Sequence, residues 1–242
     1  MLENVVVVGG YRTYIGKENG IYRHIPAEKL GGHILHKLSE NYGEPDLVLA
    51  GNAVGAGGNI GRLMSLEAGI PEEVPAFTID SQCSSGLEAI VMAVAKIRSG
   101  QQQVVFAGGA ESSSTAPRRR VSENHPEYQG DETYTAAKFS PGEWRQDAML
   151  RGAEKTAKMS NISREILDHW ALRSHELAAK ARVSKILEDI ILPLGVEKEC
   201  DQGIRQAMSK EFIRKIPPLY ENGVTTAANA CGTQDGAAFV VL

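Results

Sequence analysis

The stretch FTIDSQCSSGLEAIVMAVAKI, Phe77 to Ile97, changes character part-way along. A short apolar, β-leaning piece ends in Asp80, and a polar corner follows. Beyond it Leu87, Ile90, Val91, Val94 and Ile97 recur at helical spacing, with Ala89, Ala93 and Ala95 between them. That period predicts an amphipathic or largely buried helix. Gly100 is its stop signal, and Ser81, Ser84 or Ser85 its cap. Cys83 stands in the corner, within about a turn of free backbone N–H groups, a setting that favours a thiolate. The same N–H groups can stabilise an oxyanion, and Gly86 lets another backbone or a ligand come close. Free cysteine is also among the most buried residue types. The corner by itself therefore leaves open a structural thiol or a nucleophile.

Strands and helices alternate on both sides of this unit. Val5–Val8 is a continuous apolar run, as in a strand buried on both faces, and a glycine-rich loop, Gly9–Gly20, follows. Pro26 and Ala27 open a helix through Leu38, with Leu30, Ile34 and Leu38 on one face. Asp46–Ala50 predicts a strand, and NIGRLMSLEAGI a helix with Ile60, Leu63, Met64 and Ala68 inward. Pro75–Ile79 and Val104–Ala107 predict two more strands. This alternation over residues 1–111 signals an α/β layer architecture.

The pattern breaks after Glu111. The segment from Ser112 to Trp144 is polar, without a sustained period, and reads as loops with short elements pinned by Trp144, Met149 and Leu150. Ser163 is placed to cap a helix with Ile166, Leu167, Trp170, Ala171, Leu177, Ala178 and Ala181 on one face. Ile186 and Ile190–Leu192 suggest a strand before Pro193, Asp201–Ala207 a short helix, and Val224–Ala228 a weakly extended segment. Gly236–Leu242 reads as a core strand.

Composition narrows the function classes. With 242 residues, 42% of them hydrophobic, the chain can build one large domain or two small ones. A net charge of −4 argues against a general nucleic-acid surface. Cys83, Cys200 and Cys231 are widely spaced, form no zinc pattern and suit reduced, cytoplasmic thiols. MLENVVVVGG lacks a signal-peptide layout, and no run reaches the ~18 apolar residues of a membrane helix. GNAVGAGGNIGR, Gly51–Arg62, tempts a phosphate-cradle reading, but Ile60 stands where the dinucleotide fingerprint needs its last glycine. Its glycines are read as permitting tight turns and close backbone contact.

Glu111 lies beyond a strand end, where ligands collect in parallel sheets. It either meets Cys83 or caps loop N–H groups. Arg118, Arg119 and Arg120 are either solvated surface or a phosphate contact. A cysteine nucleophile wants a base, yet the spacing of His24, His33, His36, His125, His169 and His175 pairs none of them with Cys83.

These segments resemble the thiolase family. VPAFTIDSQCSSGLEAI is similar to its nucleophile segment, and RTYIGKENGIYRHIPAEKLGG to its N-terminal stretch. GGAESSSTAP resembles its Gly-Gly-x-Glu-Ser motif. ISREILDHWALRSHELAAKAR resembles its helical loop region, and GVTTAANACGTQDGAAFVVL the return to the core. The matches run in family order over essentially the whole chain.

The resemblance implies the N-terminal half of the layered thiolase fold. That half is a mixed five-stranded sheet with helices, formed by residues 1–111 and 224–242, with an inserted, mainly helical, CoA-contacting loop domain at 112–223. It implies acyl transfer between coenzyme A thioesters, by condensation or thiolysis, with Cys83 as acyl acceptor and its backbone N–H in an oxyanion hole. Acyl-CoA or acetyl-CoA would be the substrate, with no tightly bound cofactor or metal. The CoA-contacting set carried over is Met149, Ala230 and Cys231, with Arg118–Arg120 beside it.

Departures are plain. The family's Asn-Glu-Ala-Phe, Gly-His-Pro and Cys-x-Gly-Gly segments do not occur. Cys231 stands where the family usually has serine, and Ala148 where it has histidine. The expected partners are therefore a second copy or a chain carrying the C-terminal half. The alternative reading is a non-catalytic acyl-CoA- or partner-binding relative.

Overall fold

The computed structural model describes residues 4–128, 130, 132–136, 138, 140–142, 145–206 and 208–242. They form two compact units: the described residues within 4–117, 187–203 and 233–242, and those within 118–186 and 204–232. Trp144, expected to pin the polar segment, lies outside the described residues, as does Ala207.

In the first unit the strands are β1 (Gly9–Arg12), β2 (Gly16–Lys17), β3 (Leu47–Gly51), β4 (Ala76–Ile79), β5 (Val105–Ser112) and β8 (Gln234–Val241). They order as β1-β8-β5-β3-β4, with β2 also on β8. The sheet is mixed: β3 runs parallel to β4 and β5, while β8 is antiparallel to β5 and β1. Helices α1 (Ala27–Tyr42) and α2 (Ile60–Glu67) cover one face, where Leu30, Ile34, Leu38, Met64, Phe106 and Phe239 are buried together. Helix α3 (Ser85–Arg98) covers the other, over Leu47, Leu49, Val105 and Ala107.

Several faces differ from the periodicity reading. Val5–Val8 is not a strand: pairing begins at Gly9, and Val6, Val7 and Val8 are exposed. The run lies at the sheet edge, with β8 on one side only; Val8 N donates to Val241 O at 2.9 Å. The glycine-rich segment read as a loop supplies β1 and β2 instead. Leu63 is exposed, while Ile60, Met64 and Ala68 face inward. On α3 the fully buried positions are Ala89 and Ala93, whose small side chains let the helix lie close on the sheet. Leu87 and Val91 are 65% and 52% exposed on its outer side. Gly100 ends the helix at φ +73°.

The segment Leu187–Gly203 packs with the first unit, although the 112–223 division places it in the insert. Arg12 donates to both Asp201 oxygens at 2.9 and 2.8 Å, and Ile15 N donates to Asp201 Oδ1 at 2.8 Å. Gln202 Oε1 accepts from Lys17 N and Ile21 N. Ile191 makes a single bridge to Arg12 rather than a strand, and Glu188–Ile190 is a 3-10 turn. The described part of 201–207 holds turns and no helix.

The second unit has the hairpin β6 (Arg119–Arg120) and β7 (Thr133–Tyr134), with helices α4 (Ala148–Met159), α5 (Arg164–Ser184) and α6 (Lys210–Arg214). Helix α4 has no counterpart in the periodicity reading. Ser163 caps α5 by accepting from Ile166 N, as expected. The buried residues of α5, however, are Asp168 and Leu172, whereas Ile166, Trp170 and Leu177 are exposed. Leu172 packs with Ile213 and Ala228. Asp168 is satisfied by Arg164 Nε at 2.6 Å and Asn229 Nδ2 at 2.9 Å. Val224–Ala228 is turn-like, with one bridge from Thr226 to Pro218. Among the described residues no helix is long and apolar enough to cross a membrane.

Candidate active site

The corner between β4 and α3 is built from its own side chains. Asp80 Oδ1 accepts from Gln82 N at 3.0 Å, which turns the chain out of the strand. Gln82 then takes φ +54°, a left-handed conformation uncommon for a non-glycine residue. Ser84 Oγ donates back to Ser81 O at 2.7 Å. Ser85 Oγ donates to Gln82 O at 2.6 Å and accepts from Ser81 N at 2.8 Å.

Ser81, Ser84 and Ser85, read as alternative caps for the helix, all brace the corner. Ser84 is the N-cap by position but makes no side-chain cap bond. The N–H groups of the first turn keep their partial positive charge toward the corner. Cys83 is exposed, two residues before the first helical residue.

The glycine that permits this packing is Gly51 at the end of β3. A Cβ there would lie 2.6 Å from Gly86 N and from Ser85 C. A Cβ on Gly86, by contrast, would meet nothing nearer than Gly108 O at 3.8 Å. The close approach anticipated at Gly86 is therefore required at Gly51. Beyond Gly51, Asn52 N donates to Ile79 O at 3.1 Å, tying the ends of β3 and β4 together.

Glu111, in β5, caps the next turn. Its carboxylate accepts from Ala53 N, Val54 N and Asn52 Nδ2. Of the two roles left open by the sequence, the structure shows loop capping.

Among the described residues no histidine is hydrogen-bonded to Cys83. His33 and His36 lie on α1, whose core is on the opposite sheet face from α3. His36 Nδ1 is 3.0 Å from Ala68 O, and His24 Nε2 accepts from Arg23 Nε at 3.0 Å. In the second unit His175 Nδ1 accepts from Arg205 N. Burial, with the Arg205 charge beside it, holds the His175 imidazole below its ordinary pKa. Among the described residues no group of three or more His, Cys, Asp or Glu is placed to hold a metal.

The remaining candidates all lie in the second unit. Met149 is exposed on α4. Arg119 and Arg120 form β6, paired with Tyr134 and Thr133, and Arg118 precedes it. Ala230 N donates to Thr226 O at 3.0 Å, and Cys231 is exposed. The segment leading to Ala230 and Cys231 is clamped to α4: Glu154 accepts from Val224 N at 3.0 Å and from Thr225 N. Burial pushes the Glu154 carboxyl up, but the hydrogen bonds from Thr225 and Val224 outweigh it and hold it below the usual value. Asn229 ties the same segment to α5 through Asp168. Sequence reasoning missed this clamp.

Known proteins fit this arrangement. The family model described as "Thiolase, N-terminal domain" matches residues 5–242. The chain is 37% identical over 250 residues to "Putative acetyl-CoA C-acetyltransferase VraB" of Staphylococcus aureus, covering 100% of this chain and 65% of that one. The protein of the same name from Staphylococcus epidermidis is 33% identical with the same coverage. A solved structure, "Crystal structure of the Bacillus anthracis acetyl-CoA acetyltransferase", superposes with a TM-score of 0.89 at 30% identity, over 99% of this chain and 65% of that one. The chain thus spans about 65% of the length of the relatives it matches. With its mixed sheet, its flanking helices and its strand–corner–helix unit around Cys83, the chain belongs to the thiolase family and carries that family's N-terminal domain.

Proposed function

We propose that this chain is the acyl-accepting part of a thiolase-type acyltransferase acting on acetyl-CoA or another acyl-CoA, with Cys83 as nucleophile. The observation that carries the reading is an exposed thiol held by a serine-braced corner at the uncapped start of α3. The Cys83 thiolate attacks the thioester carbonyl carbon. The carbonyl oxygen takes the charge, facing N–H groups at the corner. The C–S bond to coenzyme A then breaks, leaving an acyl-cysteine and CoA thiolate, which takes up the proton that Cys83 released. Transfer onward, to a carbanion or to free CoA, needs a base.

No histidine is bonded to Cys83 among the described residues, and the relatives are longer by about a third of their length. The complete reaction is therefore assigned to these residues together with a second copy or with the remaining segment that the longer relatives carry. The exposed Leu87 and Val91 on α3 support such a covering partner. The second unit, residues 118–186 and 204–232, is proposed as the CoA-contacting lobe, with Met149, Ala230 and Cys231 at the pantetheine and Arg118, Arg119 and Arg120 near the phosphates. A cytoplasmic setting fits three unpaired cysteines.

Incubation with acetyl-CoA followed by peptide mass spectrometry tests the reading. One acetyl group on Cys83, absent from Cys83→Ala, is expected. A Cys83 that alkylates with iodoacetamide but never acetylates would favour a binding protein without acyl transfer.

A further inference from the structure

We infer that Glu111 is a positioning residue for the Cys83 corner, acting through Asn52; this rests on the reading of Cys83 as acyl acceptor. The corner has two flanks. The leading flank is Ile79, the last residue of β4, whose carbonyl accepts from Asn52 N at 3.1 Å. The trailing flank is Ser85–Gly86, which lies so close on Gly51 that a Cβ there would sit 2.6 Å from their backbone. Both flanks therefore rest on two consecutive residues at the end of β3. Gly51 is fixed by the ladder itself, in register with Ile79 on one side and Gly109 on the other.

Asn52 lies beyond the ladder and needs another support, which Glu111 supplies. Asn52 Nδ2 donates to Glu111 Oε2 at 2.9 Å and to Ala110 O at 2.8 Å, and its Oδ1 accepts from Gly55 N at 3.1 Å. The N–H groups of Ala53 and Val54 turn onto the same carboxylate. Three donors from one turn converge on one side chain, and Asn52 is buried among them.

A carboxylate accepts all three. An amide of the same shape offers one acceptor oxygen and sets an NH₂ against the other donors, while a methyl offers nothing. Loosening Asn52 loosens its bond to Ile79. The corner is sensitive to that, because Gln82 holds φ +54°, a conformation that persists only while its surroundings impose it. Once Ile79 can shift, Gln82 relaxes toward ordinary backbone angles, and the thiol moves away from the start of α3.

The test compares wild type, Glu111→Gln, Glu111→Ala and the charge control Glu44→Gln, an exposed site remote in sequence from the corner. The rate of Cys83 alkylation by iodoacetamide is followed from mildly acidic to alkaline pH, with thermal unfolding measured alongside. Glu111→Gln is expected to remain folded and to slow Cys83 alkylation near neutrality about three- to tenfold. Glu111→Ala should do more, and Glu44→Gln nothing. If Glu111→Ala does not fold, Glu111→Gln, which keeps the volume, decides alone. A wild-type profile in Glu111→Gln, with only a lowered melting temperature, overturns the inference and leaves Glu111 a structural cap. Acetylation of wild-type Cys83 by acetyl-CoA is measured in parallel. Its absence sinks the acyl-acceptor reading, whereas an unchanged profile beside intact acetylation sinks only the role of Glu111.

Discussion

Replacing Gly51 with alanine adds one methyl group at the point where α3 meets the sheet. The new Cβ would stand 2.6 Å from Gly86 N, 2.6 Å from Ser85 C and 2.9 Å from Ser85 Cβ, against ordinary contacts that begin at 3.4 Å. Two of these neighbours are backbone, so no side chain can swing aside. The start of α3 must retreat by roughly 0.8 Å, the difference between 3.4 and 2.6 Å. Overpacking of this kind costs about 1–3 kcal/mol.

Gly86→Ala is the matched control, since its Cβ has open space to 3.8 Å and alanine favours a helix. It should be neutral or stabilise by up to about 1 kcal/mol. With a urea m-value of about 2–3 kcal/mol/M, a cost of ~2 kcal/mol lowers the Gly51→Ala midpoint by about 0.7–1 M. Urea unfolding followed by circular dichroism reads both variants. Equal midpoints for Gly51→Ala and Gly86→Ala would refute the claim that the β3 end and the helix start are in forced contact.

Asp201→Ala removes the paired bonds to Arg12 and the acceptor for Ile15 N, leaving a largely buried guanidinium without its partner. A loss of about 2–4 kcal/mol is expected in urea unfolding, and a change below about 0.5 kcal/mol, the scale of an ordinary surface substitution, would contradict it. Glu154 has its folded carboxyl pKa held low, so its stabilising effect is full above the unfolded carboxylate value of about 4.3 and is lost as pH falls through the folded value. The stability gap between wild type and Glu154→Gln should therefore shrink on acidification; a gap that widens toward acid pH would reverse the sign. Steady-state thiolysis of acetoacetyl-CoA by this chain alone should be absent or very slow, because a positioned base commonly contributes about 10²–10⁴ in rate; turnover at several per second, abolished by Cys83→Ala, would place the base within these residues.

The unit around Cys83 is legible in the sequence because three signals agree: a β-leaning run, a polar break, and a helical period. Which side of α3 faces the sheet is not. Its apolar residues spread around most of the helix, so periodicity cannot choose between Leu87 and Ala93, and close packing selects the alanines. The buried face of α5 is hidden for a different reason. Asp168 reads as a surface residue until Asn229, 61 positions away, supplies its second partner. The segment around Asp201 looks like part of a charged insert because its anchor, Arg12, lies 189 residues earlier. The serines of the corner were legible as polar contacts, but not their direction, since a hydroxyl serves the strand side as well as the helix side. Glu111 was legible as a residue at a strand end, and only the fold shows which turn it holds.

The position of β8 between β5 and β1 bears on how this protein is made. Its register partners are Gly9–Arg12 on one side and Phe106–Ser112 on the other. A ribosome adding about 5–20 residues per second needs roughly 6–24 s to travel from Ser112 to Gln234. Through that interval β5 waits with one edge open, and β1 has no neighbour. A nascent chain in this state is a natural client for a chaperone and a poor candidate for early, unaided completion. Synonymous codon changes that slow translation between these two strands should lower soluble yield more than equal slowing within the first hundred codons.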